Sequence, residues 1–448
     1  MQRPPQVVGG IIGRMELLRA GDSVSAQRAV AGALAAQGLR PGDRIVLQVS
    51  ASAALLSAVL AALRRGIIPV VLDPKLTAEA SETLVTDAAP ALVVTSDTAL
   101  AALFNGPPAD LADVPLARPM HYTSGTTGAR KGVWSGVLAE DDARALAAEE
   151  DELWGFEAGD RHLVLSPLHH SAPLRFAIHT LLAGGEVLLP GLFDAHTALD
   201  VIARERPTTA FCVPTHLQRL LEVGALPPLD SFRLLAHAGA PCPEPVKRQV
   251  VDAFPDGTVW EFYGSTEAQF TVCSAAEWAQ RPGTVGRARP GRALRTGQGD
   301  VIWCRLPEHA RFSYWGAPEK TAAAWDGDEL TLGDLGVLDD EGYLFLRGRR
   351  DDLVITGGVN VYPLEVEQTL DRCPGVEESA VFGVADPEWG QRLVAAVVGT
   401  AREHDVRSWA RDRLAPYQRP KEYHLLDELP RTSTGKVRRL DLADLLTR

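Results

Sequence analysis

The sequence lacks the cysteine patterns of zinc-binding and disulfide-rich proteins. Its five cysteines are odd in number and widely scattered, and no two of them form a Cys-x-x-Cys pair. They are Cys212, Cys242, Cys273, Cys304 and Cys373. This spacing argues against both a zinc cluster and a disulfide framework, so we expect a reducing, cytoplasmic environment.

Long apolar runs and internal repeats are also missing. The first residues, Met1–Pro5, lead into no signal-type apolar core. The apolar run 51–63 is too short to span a membrane and is followed at once by Arg64 and Arg65. No repeat of about 20–50 residues recurs, which excludes a solenoid. We therefore expect a globular protein without a membrane partner.

Positively charged residues are also fewer than negatively charged ones. Lysine and arginine number 45 against 58 aspartates and glutamates, which gives a net charge of −13. A nucleic-acid partner requires a basic face, so this balance argues against one. A small anionic ligand remains compatible with it, because a local basic loop can bind such a ligand inside an acidic protein.

What is present is a large apolar core arranged as alternating strands and helices. The chain has 448 residues, of which 46% are hydrophobic, so we expect at least two domains. Continuous apolar runs separated by helical stretches predict a mainly parallel sheet with right-handed crossovers. The predicted strands are 45–49, 67–72, 91–95, 163–166, 186–189, 210–213, 233–239 and 258–263.

The character of the chain changes after Gly283. Short alternating segments with many glycines and prolines predict smaller sheets up to Arg350. Beyond it, about a hundred residues form a predicted compact α+β module, a size that can fold by itself. The sequence thus predicts an α/β fold. Residues 1–349 form a large domain of parallel and mixed sheets flanked by helices with a β-rich subdomain, and residues 350–448 form a small C-terminal domain.

The loop 121–132 carries the first chemical signal. Three glycines and four Ser/Thr hydroxyls expose N–H and O–H donors that can wrap an anion. Arg130 and Lys131 add positive charge for a polyphosphate. The spacing is not that of the Gly-x4-Gly-Lys-Ser/Thr phosphate loop. By itself the segment could equally be a solvated surface loop.

Four further segments have unusual composition. In 263–267, at the end of a predicted strand, Glu267 offers a ligand for magnesium, although a turn followed by a helix N-cap would have the same sequence. Asp334, between glycines, offers a carboxylate to vicinal hydroxyls. The segment 348–360 places arginines beside a glycine pair, which fits a polar site or an ion-paired linker. Lys436, on a Gly-containing turn, is either a cation for developing phosphate charge or a solvated charge.

These five segments, in this order, resemble the adenylate-forming superfamily of acyl- and aryl-CoA synthetases, peptide-synthetase adenylation domains and beetle luciferase. The resemblance runs from about residue 24 to residue 440. It implies that the protein makes an acyl-adenylate from a small carboxylic acid and ATP, releasing pyrophosphate. The small C-terminal domain would then rotate about a hinge at Asp351, and the acyl group would pass to the thiol of CoA.

The resemblance also implies roles for individual residues. Lys436, Thr266 and Glu267 would be catalytic, with Glu267 holding Mg²⁺, and His170 would gate the acyl pocket, with His169 beside it as a one-residue alternative. The remaining residues would bind ligands. The phosphates of ATP would contact Thr123, Ser124, Gly125, Thr126, Thr127, Gly128 and Lys131. The adenosine would contact Gly239, Ala240, Pro241, Glu261, Phe262, Tyr263, Asp334 and Arg349. CoA would contact Gly358, Trp389, Arg419 and Lys421, and the acyl pocket would comprise Phe211, Ala238, Gly264 and Phe270.

Alternatives remain open at three points. The acyl group could pass to a carrier-protein thiol or an amine instead of CoA, and a non-catalytic homologue would keep the fold alone. Residues 210–213 contain no acid, which disfavours an amino-acid substrate. Arg130 stands where the family usually has proline, and the trimmed segment 292–311 leaves both a monomer and a homodimer possible.

Overall fold

The computed structural model describes residues 15–123, 130–431 and 437–446. Within these ranges no helix has the length and apolar character needed to cross a bilayer.

The first part of the chain forms a three-stranded parallel sheet with β2 in the centre between β3 and β4. All three strands follow the predicted apolar runs. Serine and threonine hydroxyls begin the helices, as Ser52 accepts a hydrogen bond from the Leu55 amide and Thr77 one from the Ala80 amide. The elements are β1 Glu16–Arg19, α1 Ala20–Ala36, β2 Arg44–Leu47, α2 Ala53–Leu63, β3 Ile68–Val71, α3 Ala78–Ala88, β4 Leu92–Val94 and α4 Asp97–Ala102.

The second part forms an eight-stranded sheet with the order β1-β8-β7-β9-β10-β11-β12-β13. Strands β8, β7, β9, β10 and β11 are parallel, and antiparallel strands extend both edges. The elements are β5 His121–Thr123, β6 Lys131–Trp134, α5 Glu140–Trp154, β7 Arg161–Val164, α6 Ser171–Leu182, β8 Glu186–Leu189, α7 Ala195–Glu205, β9 Thr209–Cys212, α8 Pro214–Glu222, β10 Leu234–His237, α9 Glu244–Ala253, β11 Val259–Glu261, β12 Thr271–Ser274, α10 Ala275–Gln280 and β13 Arg287–Ala288.

The third part is β-rich, as the change in composition predicts. Strands β14, β15, β18 and β17 form one small antiparallel sheet, β16 joins the β5–β6 hairpin, and β19 pairs with β20. The elements are β14 Ala293–Thr296, β15 Ile302–Arg305, β16 Ser313–Tyr314, α11 Pro318–Ala324, β17 Trp325–Asp326, β18 Glu329–Leu330, β19 Asp334–Leu338 and β20 Leu344–Arg349.

The C-terminal part contains a five-stranded sheet in which β24 pairs with β21, β23 and β25. Its two apolar clusters contain only residues from Val354 onward, so this part has a core of its own. The elements are β21 Val354–Thr356, β22 Val359–Val361, α12 Pro363–Leu370, β23 Val376–Asp386, β24 Gly390–Gly399, α13 Glu403–Arg413, β25 Glu422–Leu426 and α14 Arg439–Leu446.

The predicted fold class is confirmed: the chain has a large α/β part with parallel and mixed sheets, a β-rich part and a small α+β part. Two details differ from the sequence prediction, because the edge strand β1 and the β5–β6 hairpin were not predicted. Strands as short as these carry little periodic signal of their own.

Candidate active site

The glycine-rich loop is anchored by the β5–β6 hairpin. Thr123 and Lys131 are directly opposite each other in this pair, so the loop leaves and re-enters the sheet at adjacent points. Strand β5 is fixed to α3 because the Tyr122 hydroxyl donates to Asp87 at 2.7 Å. The predicted phosphate-binding residues Ser124, Gly125, Thr126, Thr127 and Gly128 lie outside the described residues.

Glu267 lies in the connection between β11 and β12, where it is 6% exposed. Its Oε1 accepts a hydrogen bond from the Tyr314 hydroxyl at 2.9 Å, and its Oε2 accepts one from the Ser265 hydroxyl at 2.6 Å. Burial and the nearby Glu267 charge raise the pKa of Tyr314, so its hydroxyl stays a neutral donor. The carboxylate is thus held in one orientation by two neutral groups.

The same connection is a turn that no helix follows, which answers the N-cap alternative. The Ser265 amide donates to the Ala268 carbonyl at 2.9 Å, and Gly264 bridges to Gln269. A Cβ at Gly264 would clash with the Ala268 carbonyl. The missing side chain at Gly264 therefore accommodates this turn, and its place in the acyl pocket stays a prediction.

Asp334 joins three segments that are far apart in the sequence. Its Oδ2 accepts a hydrogen bond from the Tyr263 hydroxyl at 2.6 Å, and its Oδ1 lies 3.0 Å from Nε of Arg349. Asp334 and Arg349 are also directly paired across β19 and β20. Burial would lower the pKa of Arg349, but the charges of Asp334 and Asp352 and the nearby Tyr263 and Glu267 together outweigh it and raise that pKa. The two residues predicted to bind the ribose, Asp334 and Arg349, thus form one ion pair, and the Tyr263 hydroxyl holds the carboxylate of that pair.

The predicted adenine wall lies at the ends of β10 and β11. Gly239 takes a φ of +96°, which only glycine adopts without strain, and Ala240 and Pro241 continue that loop. Glu261 is buried and its carboxylate is ion-paired with the buried Lys247 of α9. The sequence analysis missed Lys247, although a lysine on the otherwise apolar inner face of α9 was a usable signal.

The predicted acyl-pocket phenylalanines do not share one cavity. Phe211 packs in an aromatic cluster with Ala238, Phe176 and Phe262, and its ring centroid lies 5.5 Å from that of Phe176. Phe270 is fully buried in a different cluster, with Tyr314 and the strands of the β-rich part. Phe211 and Phe270 therefore lie in two separate apolar clusters, each packed against other side chains of the protein.

His170 immediately precedes α6, beside His169, with the two ring centroids 4.1 Å apart. The Nε2 atom of His169 lies 3.9 Å from Asp73, and the His169 backbone carbonyl accepts a hydrogen bond from Nδ1 of His121 at 3.1 Å. His169 is thus directed toward the first sheet, which leaves His170 as the gate candidate.

Only some of the residues predicted to contact CoA lie close together. The Gly357 amide donates to the Trp389 carbonyl at 2.8 Å, which sets Trp389 against the Gly357–Gly358 turn. The Lys421 ammonium lies 5.4 Å from the Trp389 ring centroid, and that ring is 44% exposed. Arg419 instead donates to the Leu414 carbonyl at 2.9 Å. Asp351 lies in the short turn between β20 and β21, and Lys436 lies outside the described residues.

The residues predicted to contact adenine lie at the carboxyl ends of β10 and β11, where parallel sheets bind their ligands. The AMP-binding enzyme family matches residues 24–119 and 119–295, and its C-terminal domain matches residues 365–436. A feruloyl-CoA synthase from Amycolatopsis sp. is 34% identical, covering 91% of this chain and 90% of that protein.

Solved structures agree with these matches. ATP-bound MatB from Rhodopseudomonas palustris has a TM-score of 0.82 and 31% identity, covering 95% of this chain and 93% of that chain. The o-succinylbenzoate CoA synthetase MenE from Bacillus subtilis, in complex with its acyl-adenylate, has a TM-score of 0.83 and 27% identity, covering 94% and 92%.

The chain belongs to the AMP-binding enzyme family. It is an ATP-dependent acid–thiol ligase that converts a carboxylic acid into an acyl-adenylate with release of pyrophosphate and then forms a thioester with CoA.

Proposed function

We propose that the converging segments form one centre for adenylation, with Thr266 at the α-phosphate, Asp334 and Arg349 at the ribose, and Lys436 between the carboxylate and the α-phosphate. The observation that carries this proposal is the tyrosine-held pair of carboxylates, Glu267 and Asp334. Both are buried, and a tyrosine hydroxyl fixes the orientation of each, which supports a role for both in binding a ligand.

The chemistry requires this arrangement. A carboxylate substrate and ATP are both anionic, so cations and N–H donors must offset their repulsion before the acid oxygen can attack the α-phosphorus. The loop 123–128 with Lys131 would hold the β- and γ-phosphates and so retain the leaving pyrophosphate. The adenine would lie between the backbone 239–241 and the segment 261–263.

Magnesium would be held by Glu267. Within the described residues no group of three or more His, Cys, Asp or Glu side chains is placed to bind a metal ion. A single carboxylate nevertheless fits Mg²⁺, which is usually bound through one or two carboxylates together with substrate phosphates and water. When bound, the ion would offset phosphate charge.

Thioester formation would follow rotation of residues 350–448 about Asp351 relative to residues 1–349. Support comes from the separate apolar core of the C-terminal part and from the surface ion pairs that link it to the rest. Arg372 lies 3.1 Å from Glu244, and Arg347 lies 3.2 Å from Glu365. Exposed pairs of this kind contribute little stability, so they allow an exchange between orientations.

The roles are tested by substituting Lys436. In Lys436→Ala, acid-dependent exchange between ATP and pyrophosphate should be nearly abolished, because the cation that offsets charge in the transition state is gone. Arg438→Ala removes a neighbouring exposed cation and serves as the matched control, with exchange retained. Unchanged exchange in Lys436→Ala would show that this lysine has no role in adenylation.

The acceptor is tested separately. Pyrophosphate exchange and thioester formation are measured with and without CoA, and acyl-CoA should accumulate only in its presence. If the acid were activated but no acyl-CoA formed, the acyl group would go to a carrier-protein thiol or an amine instead.

A further inference from the structure

A small cavity beside the proposed adenylation centre has an unusual lining. Its volume is about 120 Å³, somewhat smaller than a cavity of about 150 Å³ that admits benzene. One wall is formed by Ser265, Thr266 and Glu267, and another by the start of α6, including Ser171. Four arginines also belong to the lining, and one of them, Arg118, donates to the Glu267 carbonyl at 3.5 Å. The cavity therefore places charged side chains close to Thr266, the residue proposed to contact the α-phosphate.

Around this cavity, four arginines meet two glutamates. Arg289 is ion-paired with Glu150 at 2.8 Å, and Arg292 with Glu149 at 2.8 Å. Burial would raise the pKa of Glu150, but the charges of Arg175 and Arg289 outweigh it and lower that pKa to about 2. Both glutamates are thus ionised and already paired. The histidines near this cluster also face acids, His309 toward Glu149 and His179 toward Asp151.

The other two arginines exceed the available negative charge. Arg175 shares Glu150 with Arg289, with its Nε at 3.4 Å and its Nη1 at 3.5 Å from that carboxylate, and it also donates to the Gln269 side chain at 3.2 Å. Arg118 makes only long contacts, to the carbonyls of Ala310 at 3.4 Å and Glu267 at 3.5 Å. In the described part of the chain it forms no ion pair.

Uncompensated cations of this kind are unfavourable in the interior. Burial and the neighbouring Arg175 charge lower the pKa of Arg118 to about 10, so the guanidinium remains charged at neutral pH. Arg118 and Arg175 are partly buried, and a partly buried arginine without a carboxylate of its own costs free energy that the negative charge of a ligand can offset. The Nε atom of Arg175 is also buried and makes no hydrogen bond to any described residue.

We infer that this cavity binds a second anionic group of the acid substrate, so that the enzyme activates short dicarboxylic acids. One carboxylate would lie beside the α-phosphate that Thr266 contacts and attack it with release of pyrophosphate, and the distal carboxylate would lie between Arg118 and Arg175. A guanidinium matches the geometry of a carboxylate. The small volume excludes long chains. This inference rests on the proposed role of Thr266.

The test is pyrophosphate release with pairs of acids that differ only at the distal end. Succinate is compared with butyrate, and glutarate with pentanoate. The value of kcat/KM should be about 10–100-fold higher for each diacid, as expected for a charge-assisted hydrogen bond. Equal values, or a preference for the uncharged chain, would overturn the inference while leaving the proposed function intact. If no acid in a wider panel released pyrophosphate, the proposed function itself would fail.

Two variants separate recognition from packing. Arg118→Met and Arg175→Met keep most of each aliphatic stem and remove the charge, so the ratio of kcat/KM for diacid over monoacid should fall about 10–100-fold. Arg305→Met, at an exposed position on β15, is the matched control and should leave the ratio unchanged. A variant that is merely misfolded lowers both acids together. An unchanged ratio in both arginine variants would therefore contradict the inference.

Discussion

The buried ion pair between Lys247 and Glu261 gives the sharpest prediction about stability. The Lys247 side chain is 3% exposed and the Glu261 side chain 8%, and their charged groups are in direct contact. The Lys247 ammonium also lies 4.8 Å from the Trp278 ring centroid. Neither charge has access to bulk water, so removal of one partner leaves the other without compensation.

The expected magnitude follows from that burial. Breaking a buried pair by removing one partner costs about 3–5 kcal/mol, whereas replacing both partners by apolar residues is often close to neutral. We therefore expect Lys247→Met to lower the free energy of unfolding by about 3–5 kcal/mol, and Glu261→Leu to lower it by a similar amount. The double variant should be more stable than either single variant.

Urea-induced unfolding, followed by far-UV circular dichroism, measures this cycle. Arg248→Met is the matched control because Arg248 lies on the same helix, is 53% exposed and pairs with Glu244 one turn away. Such a surface pair contributes less than about 1 kcal/mol. If Lys247→Met behaved like Arg248→Met, or if the two single effects simply added, the pair would not be buried and coupled as the structure has it.

Three further predictions concern the site and the pH dependence. Tyr314→Phe removes one of the two hydroxyl donors to Glu267 and should raise the Mg²⁺ concentration needed for half-maximal pyrophosphate release severalfold, and an unchanged requirement would contradict the assigned role of Glu267. Arg130→Pro removes a cation from the exposed base of the glycine-rich loop and should weaken ATP binding at low salt, measured by calorimetry; no change would mean that Arg130 only faces solvent. Burial lowers the pKa of His121 to about 4 and that of His162 to about 3, so both are neutral when folded and gain a proton on unfolding at mildly acidic pH. The contribution of these two histidines to the free energy of unfolding should be fully present above about pH 6.5 and should be lost as the pH decreases toward 4. Glutamine at either position should make the free energy of unfolding depend less on pH, as measured by urea unfolding at several pH values.

Much of the fold could be predicted because its signals are local. The parallel strands of the large sheet are continuous apolar runs of the right length, and helices such as α2 begin at a serine that caps them. The short antiparallel strands carry no such pattern, which is why β1 and the β5–β6 hairpin were missed. Their partners, β8 for β1 and β16 for β6, lie far along the chain.

The site was predictable only at the level of its motifs. The sequence analysis identified Glu267 and Asp334 but not the tyrosine hydroxyls that hold their carboxylates. Tyr314 is 47 residues from Glu267, and no spacing rule connects these two residues. The tight turn at Gly264 was also not predicted, because a small residue in a sequence can mean either an open pocket or a tight turn. The surplus charge around Arg118 likewise appears only when α5, α6 and the segment 289–292 come together.

The partners of the two site carboxylates also explain why they would have different roles. In the described part of the chain, Glu267 is held only by the hydroxyls of Tyr314 and Ser265, and it forms no ion pair there. Hydroxyl donors orient a carboxylate but leave its negative charge intact, as a cation ligand requires. Asp334 is instead paired with Arg349, which offsets its charge while its oxygens keep lone pairs for further hydrogen bonds. A carboxylate neutralised in this way suits the hydroxyls of a ribose better than a metal ion. The assignment of magnesium to Glu267 and of the ribose to Asp334 is thus supported by electrostatics as well as by their positions in the sequence.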